Sequence, residues 1–168
     1  EYVKASMIKE MLRDWLFLSN PKHQTQNSSL DTIFDVSVGY DLAGIRSSQI
    51  QQWLRTMRDA SVLIKEYRQQ IPDEFKAYRE IPFKSEIANS ITLSTFHGTP
   101  ADEIERICEF LLADMDYHVI IKMNPPMLGP ERIQHLLYDT LGYTDVEINP
   151  KAYKANISFA AAVDVVRR

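Results

Sequence analysis

The chain has 168 residues, enough for one ordinary domain with a sizeable core, and its 45% hydrophobic and 25% charged content is that of a globular protein. A formal net charge of -4 gives no basic field for nucleic acid, and no apolar run approaches the roughly 20 residues that a membrane span needs. Cys108 is the single cysteine, which excludes a disulfide framework and any iron-sulfur or Cys-zinc site built from this chain; with no signal peptide, a cytoplasmic home is the expectation.

In chain order, Tyr2, Val3, Met7, Ile8, Met11, Leu12, Trp15, Leu16 and Leu18 keep helical spacing from almost the first residue. A helix that starts without a cap and without an initiator Met predicts an excerpt of a longer polypeptide, its residues 1–168 forming a single domain. Asn20 to Ser29, with Pro21, reads as a polar loop. Thr32 to Val38 alternates as a strand, and Gly39 to Gly44 is its exit turn. Ser47 or Ser48 can cap a helix whose stripe is Ile50, Trp53, Leu54, Met57, Ala60, Ile64, Tyr67 and Ile71. Pro72 and Pro82 bracket a short helix at Asp73 to Arg79, read as an insertion.

From Ile91 to Ile148 one unit occurs twice: a β-branched run, a turn with Pro, then an amphipathic helix. Ile91 to Phe96 leads through His97-Gly98-Thr99-Pro100 into a helix carrying Ile104, Ile107, Cys108, Leu111 and Leu112. Val119 to Met123 leads through Asn124 to Pro130 into a helix carrying Ile133, Leu136, Leu137 and Leu141. Val146-Glu147-Ile148 is a further strand candidate, and the tail from Ser158 to Val166 a last helix. Such alternation predicts an α/β fold of parallel βαβ units, with strands near 32–38, 91–96, 119–123 and 145–148 and helices on one face. The turns after successive parallel strands open on one side, which makes His97, Thr99, Lys122, Asn124 and Asn149 expected neighbours.

Three segments carry a resemblance: Ser37-Val38-Gly39-Tyr40-Asp41-Leu42-Ala43-Gly44-Ile45; Thr92 to Pro100 with Asp102-Glu103-Ile104-Glu105; and Lys122-Met123-Asn124-Pro125 with Leu128-Gly129. In order and spacing they resemble motifs of the selenate reductase flavo-iron-sulfur subunits. These are large oxidoreductases in which a dihydroorotate dehydrogenase-like barrel, similar to that of dihydropyrimidine dehydrogenase, is joined to a glutamate synthase-type module. The resemblance implies a central slice of a (β/α)8 TIM barrel, roughly its third to sixth strands. It implies FMN in the complete barrel and FAD, NADPH and iron-sulfur clusters elsewhere in the chain. None of these is expected in the excerpt alone. The partners it implies are the remainder of the parent polypeptide, a small-molecule substrate and a homo-oligomeric copy.

Lys122 falls late in an apolar strand, where an unpaired ammonium is costly, so an anionic or strongly polar partner is expected. The resemblance supplies one, since such barrels place a strand lysine beside the flavin ring; a Lys reaching solvent or a carboxylate from a strand end is the plainer alternative. Asn124 and Ser94 are cofactor-binding candidates on the same ground, although Asn-Pro-Pro is also ordinary turn chemistry. His97 can act as acid, base or donor, or can satisfy turn backbone. A serine hydrolase built on Ser94 and His97 is excluded, because no nucleophile elbow surrounds the serine.

Thr99-Pro100-Ala101-Asp102 reads locally as a helix start, with Thr99 capping and Pro100 first in the helix. The resembled family has Cys where Thr99 stands, and that Cys exchanges protons with substrate carbon in related barrels. Asp35 and Pro126 also depart, from Asn and Thr. A catalytically inactive barrel serving as scaffold or protein-interaction domain is therefore the alternative to a flavin-dependent, NAD(P)H-linked oxidoreductase segment. A partial barrel also leaves two edge strands and an inner face, expected to be apolar, without cover, which predicts self-association.

Overall fold

The computed structural model describes residues 1–19, 34–94, 98–154 and 156–168. The loop expected at Asn20–Ser29, the first residues of the expected strand at 32–38, and His97 lie outside them. The chain divides into two units, residues 1–35 with 51–89 and residues 36–50 with 90–168.

In the first unit, helix α1 (Tyr2–Ser19) packs against α4 (Ser61–Gln69). Its inward side carries Val3 and Met7 but also Ser6 and Glu10, and Glu10 is 1% exposed, ion-paired with Lys9 and Arg13. Its outward side carries Ile8, Leu12, Trp15 and Leu16, all exposed. The helical stripe expected to run unbroken to Ile71 is instead two helices, α3 (Ser48–Arg58) and α4. The break has a local cause. Ala60 N-H turns away to donate to Ser85 O at 2.8 Å, and the Asp59 carboxylate accepts from Ser61 N-H at 3.0 Å, a bond that holds its pKa below the ordinary value. Leu54, Met57, Ile64, Ile71 and Ile87 form the core of this unit. The segment expected as a short helix is a 3-10 stretch, Asp73–Glu80. Arg79 fastens it, donating to Ile71 O and to Asp73 Oδ1, while Arg68 donates to Arg79 O.

In the second unit, β1 (Asp35–Val38), β2 (Ser90–Leu93) and β3 (His118–Ile121) form a parallel three-stranded sheet in sequential order. The β2 and β3 partners run from Ser90 beside His118 to Leu93 beside Ile121. Alternation sorts the side chains into two faces. Val36, Val38, Ile91 and Leu93 are buried with Ile104, Ile107 and Leu111, which come from α5 (Ala101–Glu109) and the π-turn Phe110–Asp114 that continues it. The opposite face carries Ser37, Thr92, Ser94, His118 and Ile120. This corrects the expected apolar inner face: among the described strand residues it carries Asp35, Ser37, Ser90, Thr92 and His118, with Ile120 as its apolar member.

Beyond β3 come a 3-10 turn (Pro125–Leu128), α6 (Pro130–Gln134) with its π-turn His135–Thr140, α7 (Lys151–Lys154) and α8 (Phe159–Arg167), capped by Ser158. The helical segments after β2 and after β3 end alike. Met115 N-H reaches back to Phe110 O and Tyr117 N-H to Leu111 O; in the second, Leu141 reaches Leu136 and Tyr143 reaches Leu137. The fourth strand expected at 145–148 does not form. Val146 is exposed, its carbonyl accepts from the Tyr138 hydroxyl at 2.9 Å, and a run of three residues preceded by Asp145 and split by Glu147 has too few apolar contacts to hold a sheet edge.

Candidate functional site

The carboxyl ends of the three strands build the site. Past Val38, the Ser94 amide donates to Val38 O at 2.7 Å; past Leu93, the Lys122 amide donates to Leu93 O at 3.0 Å. These two bonds carry the pairing one residue beyond each assigned strand and bring Gly39, Ser94 and Lys122 to one edge. Gly39 lies against Ser94, whose Cβ would stand 3.9 Å from a Cβ placed on the glycine. Ser94 Oγ lies 3.1 Å from Ser37 Oγ, and the Ser37 hydroxyl also reaches Thr92 O at 3.3 Å.

Lys122 is exposed, which corrects the expectation of a buried ammonium requiring a partner. It continues the 118, 120, 122 alternation onto the open face, where water solvates the charge, and among the described residues its ammonium makes no hydrogen bond or ion pair. Asn124, half-buried, starts the 3-10 turn, its carbonyl accepting from Met127 N-H at 3.2 Å. Its Nδ2 donates to Asn156 Oδ1 at 2.8 Å. One donor is thereby spent on the fold, and Oδ1 has no hydrogen bond among the described residues.

The other sequence candidates part company. Thr99 is half-buried ahead of α5 but does not cap it: the residue at the cap is Pro100, extended at φ -62° and ψ 150°, with no side-chain bond. Asn149 follows no strand, and its Oδ1 accepts from Lys151 N-H at 3.0 Å at the start of α7. Glu103, in the first turn of α5, ties that helix to the first strand's exit turn: its Oε1 accepts from Leu42 N-H at 3.1 Å.

That turn holds a residue sequence reasoning passed over. Tyr40 is 53% exposed two residues past β1, and its Cβ stands so near Gly44 that an alanine Cβ there would lie 2.8 Å away. The Asp41 carboxylate accepts from Gly44 N-H at 2.7 Å, opening the short helix α2 (Leu42–Ile45). The signal was the spacing of Gly39, Tyr40, Asp41 and Gly44 within the first motif.

A mobile-electron ring system with polar edges fits this set: a cation at Lys122, an amide oxygen at Asn124, paired hydroxyls at Ser37 and Ser94. Cys108 plays no part in it. Burial, and secondarily the Glu105 charge, push its thiol up to about 11. Among the described residues no group of three or more His, Cys, Asp or Glu could hold a metal ion, and no helix is long and apolar enough to cross a membrane.

A family model described as the N-terminal TIM-barrel domain of oxidoreductase YgfK matches residues 1–168. Two Escherichia coli proteins, from strains K12 and O157:H7, both named "Putative oxidoreductase YgfK", are 30% identical over 189 aligned residues, an alignment covering 100% of this chain. The chain spans 18% of the length of these relatives. No solved structure matches it.

Proposed function

The chain belongs to the family of the N-terminal TIM-barrel domain of oxidoreductase YgfK, and from that premise we propose that it is part of a flavin-dependent, NAD(P)H-linked oxidoreductase barrel. On this reading the barrel is of the dihydroorotate dehydrogenase-like type and FMN binds in its completed form. FAD, NADPH and iron-sulfur clusters belong to other parts of the parent chain, which works in the cytoplasm, and selenate reductase-like or dihydropyrimidine dehydrogenase-like chemistry is the reaction class.

The observation that supports this is Lys122, a solvated cation with no partner among the described residues, one residue past β3 on the open face of the sheet. A flavin in such a barrel carries hydride or electrons between donor and substrate. Lys122 would favour the electron-rich ring by its charge, Ser94 and Asn124 would orient the ring edge, and the Ser37 hydroxyl would hold Ser94 in place. Replacing Lys122 by Ala in the complete protein should lower flavin occupancy or shift its reduction potential while leaving the fold intact. Unchanged flavin content and potential would remove the role.

Thr99 favours a second reading, a barrel without turnover that serves as scaffold or interaction domain. A threonine hydroxyl cannot exchange a proton with carbon near neutral pH as the family's cysteine does. Chromatographic identification of the flavin released from the complete protein separates the two: FAD without FMN fits the scaffold, FMN beside FAD the oxidoreductase.

A further inference from the structure

We propose that Tyr40 is the aromatic wall of this site, lying against the flavin ring at the carboxyl ends of the strands; the inference rests on the flavin reading above. The exposure of one tyrosine would mean little by itself. What singles out Tyr40 is the construction beneath it. Gly44 leaves room for the root of the side chain where any Cβ would strike the Tyr40 Cβ at 2.8 Å and its Cγ at 3.3 Å. Asp41 satisfies the Gly44 amide, Glu103 satisfies the Leu42 amide from another helix, and Ile45 is fully buried as an anchor. Arg46 closes the turn from the far side, its guanidinium 5.1 Å from the Phe110 ring centre.

A turn whose amides are bonded and whose anchor is buried holds its exposed ring with little freedom left to lose. Such rings make efficient binding walls, because a tyrosine offers a large planar surface at small entropic cost. The position is also right. Tyr40 follows Gly39, Gly39 faces Ser94, and Ser94 lies on the edge that ends in Lys122, so one end of the sheet offers an aromatic plane, hydroxyls and a cation. That set matches a flat, conjugated, electron-accepting ring better than it matches an aliphatic acid, which has no π-face to stack.

The test uses the complete protein, reconstituted with FMN, with affinity and the emission of the bound flavin as readouts. Tyr40→Leu should weaken FMN binding about tenfold or more and brighten what remains bound, since a phenol against the ring quenches its fluorescence. Tyr40→Phe should keep the affinity but brighten the flavin. Gly44→Ala, which keeps the ring but displaces its root, should weaken binding as Tyr40→Leu does. A wild type that takes up FMN, with unchanged affinity and emission in Tyr40→Leu, overturns this inference alone. Should Tyr40→Leu fail to fold, Tyr40→Phe decides by emission, and an unchanged yield overturns the contact. A wild type that takes up no FMN overturns the flavin reading and this inference with it.

Discussion

Asp116 and Gly142 occupy the same place in the helical segments that follow β2 and β3: each follows a π-turn, each stands one residue before a tyrosine whose amide closes the cap, and each has positive φ, 56° and 72°. Glycine meets this requirement without strain, and aspartate is among the few residues that meet it at modest cost. The segment after β3 thus repeats the one after β2 down to its backbone handedness, although no strand follows it.

Replacing Gly142 by Ala should lower stability by about 1 kcal/mol, because nothing lies within 4 Å of the added methyl and only backbone strain is introduced. Gly129→Ala should cost more, about 2 kcal/mol, since φ 86° with ψ 161° is a region that only glycine enters readily. Urea midpoints of the two variants check both the values and their order.

Cys108 predicts an alkaline limb. Its thiol titrates at about 11 in the folded chain against 9.0 unexposed to that environment, so the unfolded chain loses its proton first. The contribution is fully present below pH 9 and lost as pH rises towards 11. Stability should fall across that window, and less steeply in Cys108→Ala. Equal slopes for the two proteins would contradict the assignment.

The 168-residue chain alone should purify colourless and show no micromolar affinity for FMN. Its three strands offer groups for the ring edge, whereas barrels of this type grip phosphate after the seventh and eighth strands. Forgoing a charge-assisted phosphate site costs several kcal/mol, roughly a thousandfold in affinity. Calorimetric titration with FMN measures it, and micromolar binding would refute the placement of the site.

Self-association is expected through α1 as well as the sheet edges, because Ile8, Leu12 and Trp15 form an exposed stripe at helical spacing. Sedimentation velocity at high concentration should show species above monomer, and Leu12→Glu should reduce them. A monodisperse monomer of the unchanged chain would count against this surface.

Much of the fold was legible because β-branched runs at 36–38, 91–93 and 119–121 are strong local signals and each is followed by turn residues. The break at Asp59–Ala60 was not, since it depends on Ser85 O, distant in sequence. Val146-Glu147-Ile148 was misread as a strand because pairing is decided by neighbours, not by propensity. At the site, Ser94, Lys122 and Asn124 do lie at the carboxyl end of the sheet. Lys122 was expected to be buried because the run before it is apolar, yet His118 two pairs earlier already marked its face as the wet one. Tyr40 escaped notice because its importance rests on Gly44, a contact between backbone and side chain that no periodicity reveals.

The opposite polarity of the two sheet faces has a consequence for how the chain finds its pairing. Sliding β3 past β2 by a single residue would turn Val119 and Ile121 to the hydroxyl side and press His118, Ile120 and Lys122 under α5. Two charged or polar groups would leave the open face for the half-buried places of Val119 and Ile121, beside Leu112, Val165 and Val166, and lose part of their water. Misregistered pairings are thus discouraged by the same polar row that lines the candidate site, and softening that row towards aliphatic residues would trade away alignment during folding.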